Sequence, residues 1–304
     1  TPQYTTDYII WNNMTTSTNI SLSSGQSVYV RGTMSGNNST YQYTQFKMTG
    51  SIAMSGNGNN IWNYTNPDAA LARTYCGNRL FSGCTALTDV SQFSLPATAL
   101  TDYCYTNMFG GCTGINAVPS TLLPAMTMKS NCYQGMFENC YSLSNAPALP
   151  ATTLAERCYT GMFRHTNLTS APILPATTMA KQCYRWMFGD CTALTTPPAL
   201  PATALTEDCY AYMFCGSTSL TTAPELPAET LGVTSYNCMF SGCTSLNEIT
   251  CLATNISASN CTKDWVGTVA ATGTFKKNAS MSSWTTGNNG IPTDWTVEDY
   301  TPSE

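Results

Sequence analysis

Charged side chains are scarce in this chain. Asp, Glu, Lys and Arg make up 10% of its 304 residues, against roughly 25% in a typical soluble domain. The surface must therefore be built largely from Thr, Ser, Asn, Gly and Tyr. A formal net charge of -5, with an isoelectric point near 4.8, excludes the basic footprint of a nucleic-acid binder. No apolar run approaches the ~20 residues of a membrane-spanning helix, so no membrane span is expected. Histidine occurs once, at His165, and no Ser-His-Asp triad can be assembled convincingly around it. A Cys-His pair with Cys158 uses a cysteine that recurs as a framework residue in most copies of a repeat. There is no C-x-x-C pair of the kind that holds zinc, and no phosphate-cradling glycine motif. Segments such as Gly56-Asn57-Gly58-Asn59 read as turns. Asp190, Glu207, Asp208, Glu225 and Glu229 occupy different turn positions and read as solvated acids, not as a hydrolytic pair. No catalytic residue, metal or cofactor is expected, and the chain is read as a non-enzyme.

What the chain does have is a repeat. A Met-Phe dipeptide, Leu-Phe in its first copy, falls at Leu80-Phe81, Met108-Phe109, Met136-Phe137, Met162-Phe163, Met187-Phe188, Met213-Phe214 and Met239-Phe240. Successive spacings are 28, 28, 26, 25, 26 and 26 residues, within a frame L-P-A-T-x-L-x-x-x-C-Y-x-x-M-F-x-x-C-T-x-L-T-x-x-P that is nearly complete from Leu174 to Pro198. Relative to Cys183, the residues Met187, Phe188 and Cys191 follow at +4, +5 and +8, which predicts one inward side of a short helix. The stretch from Leu194 to Leu200, with Pro and β-branched residues, predicts a short strand ended by the second proline. One such unit cannot bury its Met, Phe and Leu alone, whereas stacked units can.

The frame resembles the BspA-like leucine-rich repeats of Bacteroidetes surface proteins, over about Thr74 to Thr250. Flanking segments resemble those that accompany these repeats: Val28-Tyr29-Val30-Arg31-Gly32 through Met48-Thr49-Gly50-Ser51-Ile52, and Gly273-Thr274-Phe275 through Gly290-Ile291-Pro292 and Trp295-Thr296-Val297. The resemblance implies export, adhesion or host contact, and no enzymatic activity. The expected fold class is α/β: a leucine-rich-repeat solenoid with a short strand and a short helix per repeat, between β-rich caps. The expected divisions are an N-terminal cap over 1–70, the seven-copy array over 71–250 and a C-terminal cap over 251–304. Alternation in Ser27-Val28-Tyr29-Val30 and Tyr41-Gln42-Tyr43 predicts strands in the first cap. Thr1 is read as the start of a mature or trimmed product, secreted or displayed at a cell surface.

Fifteen cysteines invite a disulfide framework. Cys158 stands without a partner, because Thr166 occupies the slot eight residues on, and Ser217 and Ser235 fill other cysteine slots. The simpler reading is a ladder of small buried thiols, with Cys209/Cys215 and Cys251/Cys261 left open as local bridges.

Binding residues in a repeat array are expected at variable slots that adjacent copies project side by side. The slot before each Met reads Asn107, Gly135, Gly161, Trp186, Tyr212 and Cys238. Trp186 and Tyr212 should be neighbours, with Arg185 beside them and Arg164 and His165 one copy earlier. These five form the candidate ligand patch, against the plainer reading that the two rings merely pack between copies. The expected function is non-catalytic recognition of a glycan or a host or matrix protein. The alternatives are a structural subunit of a surface filament or phage fibre, with copies of itself as partner, and an accessory region of a carbohydrate-active enzyme.

Overall fold

The computed structural model describes residues 2–15, 17–32, 45–63, 71 and 73–301. The strand expected at Tyr41-Gln42-Tyr43 lies outside the described residues. Three strands near the start, β1 (Gln3–Thr5), β2 (Asn12–Asn13) and β3 (Tyr29–Arg31), form an antiparallel sheet in the order β2-β1-β3. Strand β4 (Ile52–Asn57) leads into a single helical turn, α1 (Asn60–Asn63), and pairs in parallel with β5 (Leu87–Ser94). The next named strands are β6 (Glu248–Cys251), β7 (Thr274–Lys277) and β8 (Thr296–Asp299), a parallel sheet in that order.

Between β5 and β6 the copies contain no helix. The expected α/β leucine-rich-repeat solenoid, with a strand and a helix in each unit, is overturned: helix is confined to α1 among the described residues, and the named strands form small separate sheets. Each cysteine-to-cysteine segment is instead a ribbon of consecutive turns. In one copy Cys104, Tyr105, Met108, Phe109 and Cys112 are all fully buried, while Tyr103, Asn107 and Gly111 take left-handed φ values of 57, 50 and 76°. Amide donors alternate along the ribbon. Met108 and Cys112 donate back three residues, to the carbonyls of Tyr105 (3.1 Å) and Phe109 (3.0 Å). Tyr105, Asn107, Phe109 and Gly111 donate to the next copy, at Cys132 (3.0 Å), Gln134 (2.8 Å), Met136 (3.0 Å) and Glu138 (2.7 Å).

The inward offsets imitate a helix. Positions 0, +1, +4, +5 and +8 have a period of four residues, close enough to the helical 3.6 to imitate it over two turns. An α-helix sends every amide back four residues, and a left-handed residue every fourth position forbids that. The other arm of each unit is not a full strand either. Leu-Pro-Ala-Thr segments meet through isolated parallel bridges, such as Ala99 to Thr127 to Thr153 and Thr178 to Ala204 to Thr230 to Asn255. Proline has no amide to extend such a bridge into a ladder.

Stacking places like on like. The rings of Phe81, Phe109, Phe137, Phe163, Phe188, Phe214 and Phe240 follow one another at 5.6 to 5.8 Å, within 14° of parallel. Tyr105, Tyr133, Tyr159, Tyr184, Tyr210 and Tyr236 form a second column at 5.8 to 6.2 Å. At the start Phe46 stacks on Phe81 at 5.6 Å. At the end the ribbon pattern continues beyond the last Met-Phe. Tyr236, Phe240 and Gly242 donate to Cys261, Trp265 and Gly267, and Trp265 stacks on Tyr236 at 6.0 Å. Residues 260–268 are thus a divergent further copy, with Trp265-Val266 in place of Met-Phe.

All fifteen cysteines are free, and thirteen of them are buried. The bridges left open at Cys209/Cys215 and Cys251/Cys261 are not formed. Cys209 points inward and Cys215 outward from one ribbon, while the Cys261 thiol donates to the Ile256 carbonyl at 3.2 Å.

Candidate functional site

The ribbons turn two side chains in and two out per period, so one outward slot recurs three residues after each reference cysteine. Trp186 and Tyr212 occupy that slot on adjacent ribbons with left-handed φ of 57 and 59°. Such a backbone is costly for a bulky residue, of order 1–3 kcal/mol, and Gly161 holds the same slot one ribbon earlier with φ 62°. What offsets the cost is contact. The indole and phenol rings stack at 4.4 Å and 9°. The Arg164 guanidinium lies over the other face of Trp186 at 4.2 Å. Arg185 lies over Tyr212 at 5.2 Å. Gly189 completes the fit, since a Cβ there would stand 2.5 Å from Trp186 Cε3.

Carboxylates hold the cations in place. Arg164 Nε donates to Asp190 Oδ2 at 3.2 Å, and its Nη1 lies 3.7 Å from Glu138 Oε1. His165 Nε2 lies 3.3 Å from the same Asp190 oxygen. Arg185 Nη1 donates to Asp208 Oδ2 at 3.1 Å, which also accepts from Gln182 Nε2 at 2.8 Å. The five residues expected to cluster are brought together on a half-buried surface. Asp190, Asp208 and Glu138 are the members that sequence reasoning missed. Asp208 is buried, not a solvated acid. The signal was present: Asp190 and Asp208 fall on the ribbon following Arg164 and Arg185, respectively.

In this arrangement both faces of Trp186 are covered, leaving ring edges, guanidinium edges and carboxylate oxygens partly exposed. The single histidine, His165, does not pair with Cys158, whose side chain is buried inward. Burial drives the framework thiols toward the neutral form, with Cys132, Cys140 and Cys209 pushed up to about 12, so they serve packing and not nucleophilic attack. Among the described residues no group of three or more His, Cys, Asp or Glu is placed to hold a metal ion. No described helix is long and apolar enough to cross a membrane.

Comparison of the chain with protein-family models, with curated proteins and with solved structures finds no match.

Proposed function

We propose that this chain is a non-catalytic recognition protein, exported to a cell surface or beyond, that binds a protein partner through the patch centred on Trp186 and Tyr212. The observation that carries the reading is the stack of Arg164, Trp186 and Tyr212 across adjacent ribbons, with Arg185 5.2 Å from the Tyr212 ring centre. Arg, Trp and Tyr in a rigid, already ordered array are the side chains that dominate protein–protein contacts, and little entropy is lost when they are engaged. A protein surface fits better than a sugar ring, because a sugar stacks on a free aromatic face and Trp186 offers none. The cations are balanced by Asp190, Asp208 and Glu138, which favours a polar, nearly neutral partner over a strongly acidic one. The resemblance of the repeat frame to surface adhesins supports the same reading and the same location.

The test is a binding screen of the full chain against immobilised matrix proteins and mucin-type glycans, with Trp186→Ala/Tyr212→Ala as the comparison. The expected outcome is a protein ligand whose affinity falls at least ~10-fold in the double variant, while the circular dichroism spectrum is unchanged. Equal binding by both chains, or binding to glycans alone, removes the proposal. Failure to bind either class, together with a molar mass that climbs with concentration, would make copies of this chain the partner.

A further inference from the structure

The parallel sheet near the C-terminus stops at β8. All four of its residues are exposed, Val297 to 45%, and among the described residues no strand pairs with its outer edge. Thr296 and Tyr300 send their amides to the Gly273 and Lys277 carbonyls, at 2.9 and 2.7 Å. Main-chain groups alternate in direction along a strand, so the amides and carbonyls of Val297 and Asp299 point away from β7. Such an edge is a template for one more strand.

The sheet itself shows which strand fits. On its paired edge β8, Thr-Val-Glu-Asp, meets Thr-Phe-Lys-Lys of β7, with Phe275 beside Val297, Lys276 beside Glu298 and Lys277 beside Asp299. Lys277 Nζ lies 2.5 Å from Asp299 Oδ1, but Lys276 turns the other way, to Glu248 Oε1 of β6 at 2.7 Å. Glu298 enters no ion pair among the described residues. Together with Glu248, Thr274 and Lys276 it lines a cleft of about 480 Å³ on one face of the sheet. A residue added beside Glu298 from the open edge projects on that same face. On the opposite face Ile249 and Phe275 are fully buried, and half-exposed Val297 continues their row to the edge. The edge therefore calls for an apolar residue beside Val297 and a cation beside Glu298. The β8 strand of a second copy is a poor match, because it brings Glu298 and Asp299 close to like charges.

We propose that the outer edge of β8 is a docking site for an extended basic segment of a partner protein. The segment adds as a fourth, parallel strand, with an apolar side chain beside Val297 and a Lys or Arg beside Glu298. Main-chain hydrogen bonds supply affinity, and the two side-chain positions supply selectivity. None of this depends on what the aromatic patch binds.

The probe is a fluorescently labelled peptide with the sequence of residues 271–280, which carries Thr-Phe-Lys-Lys. Its anisotropy is followed as the native full chain is added, and a saturable rise is expected. Glu298→Lys should weaken binding ~10-fold, and a peptide carrying Lys276→Glu should bind that variant better than it binds the native chain. Val297→Pro should abolish binding with an unchanged circular dichroism spectrum, because it removes an outward amide that β7 does not use. The Trp186→Ala/Tyr212→Ala chain should bind the peptide as the native chain does. An anisotropy that never rises, that rises equally with Val297→Pro, or that ignores the charge exchange would overturn the proposal. A native molar mass that climbs with concentration, while Val297→Pro stays monomeric, would make a second copy the occupant and overturn the basic partner.

Discussion

Eight residues after each reference cysteine sits a small side chain whose hydrogen completes the stack. The thiols of Cys112, Cys140, Cys191 and Cys243 donate to the carbonyls of Phe81, Phe109, Phe163 and Phe214 on the preceding ribbon, at 3.0 to 3.2 Å. Where cysteine is replaced, the donor is kept. Ser217 Oγ reaches the Phe188 carbonyl at 2.8 Å, and Thr166 Oγ1 the Phe163 carbonyl of its own ribbon at 2.8 Å. The slot therefore selects for size and an X–H group, not for oxidation to a disulfide, and one cysteine of a pair can be absent without its fellow. Cys140→Ser should change unfolding free energy by under ~1 kcal/mol, whereas Cys140→Val should cost ~1–3 kcal/mol, because the added methyl group crowds a full site and the bond to Phe109 is lost. Urea titration of the two variants distinguishes them; equal effects would mean that volume alone matters.

At the scale of the ribbon, two energies oppose each other. Left-handed backbone at three places per copy is unfavourable for residues such as Arg157, His165, Gln182 and Asp190. Against it stand the amides those residues send to the next ribbon and the rings stacked beneath. The Phe column carries much of the packing, since each ring in it is sandwiched between two others. Phe163, fully buried between Phe137 and Phe188, should lose ~3–5 kcal/mol on substitution by alanine. The urea midpoint of Phe163→Ala should fall accordingly. A loss under ~1 kcal/mol would mean that the ribbon amides, not the rings, hold neighbouring copies together.

For the whole molecule, stability is tied to keeping many weak acids protonated. Burial raises Cys76, Cys132, Cys140, Cys209 and Cys251 from an ordinary 9.0 to about 12. Unfolding exposes them to water, where they ionise from about pH 9, so between these values the unfolded chain binds fewer protons than the folded one. Stability is then present in full below pH 9 and falls as pH rises toward 12. The melting temperature should be nearly flat from pH 7 to 8.5 and decline progressively above about pH 9, more steeply than in a chain with few buried thiols. A flat profile to pH 11 would contradict the neutral-thiol core.

The repeat, its period and its inward-pointing residues are legible from the chain alone, because burial of Met, Phe, Leu and Cys is written into their spacing. The candidate patch was legible for the same reason: Trp186 and Tyr212 share a slot one copy apart, and stacked copies must bring them together. Tertiary structure alone decided that the spacing folds as turns and not as a helix. A four-residue period and a 3.6-residue period are nearly indistinguishable over nine residues, and the choice rests on amides such as those of Asn107 and Trp186 finding carbonyls on the next ribbon. It also decided that Asp190, Asp208 and Glu138 belong to the patch and that both faces of Trp186 are covered. Those contacts join residues about 25 positions apart, and only the register of one ribbon on the next defines them.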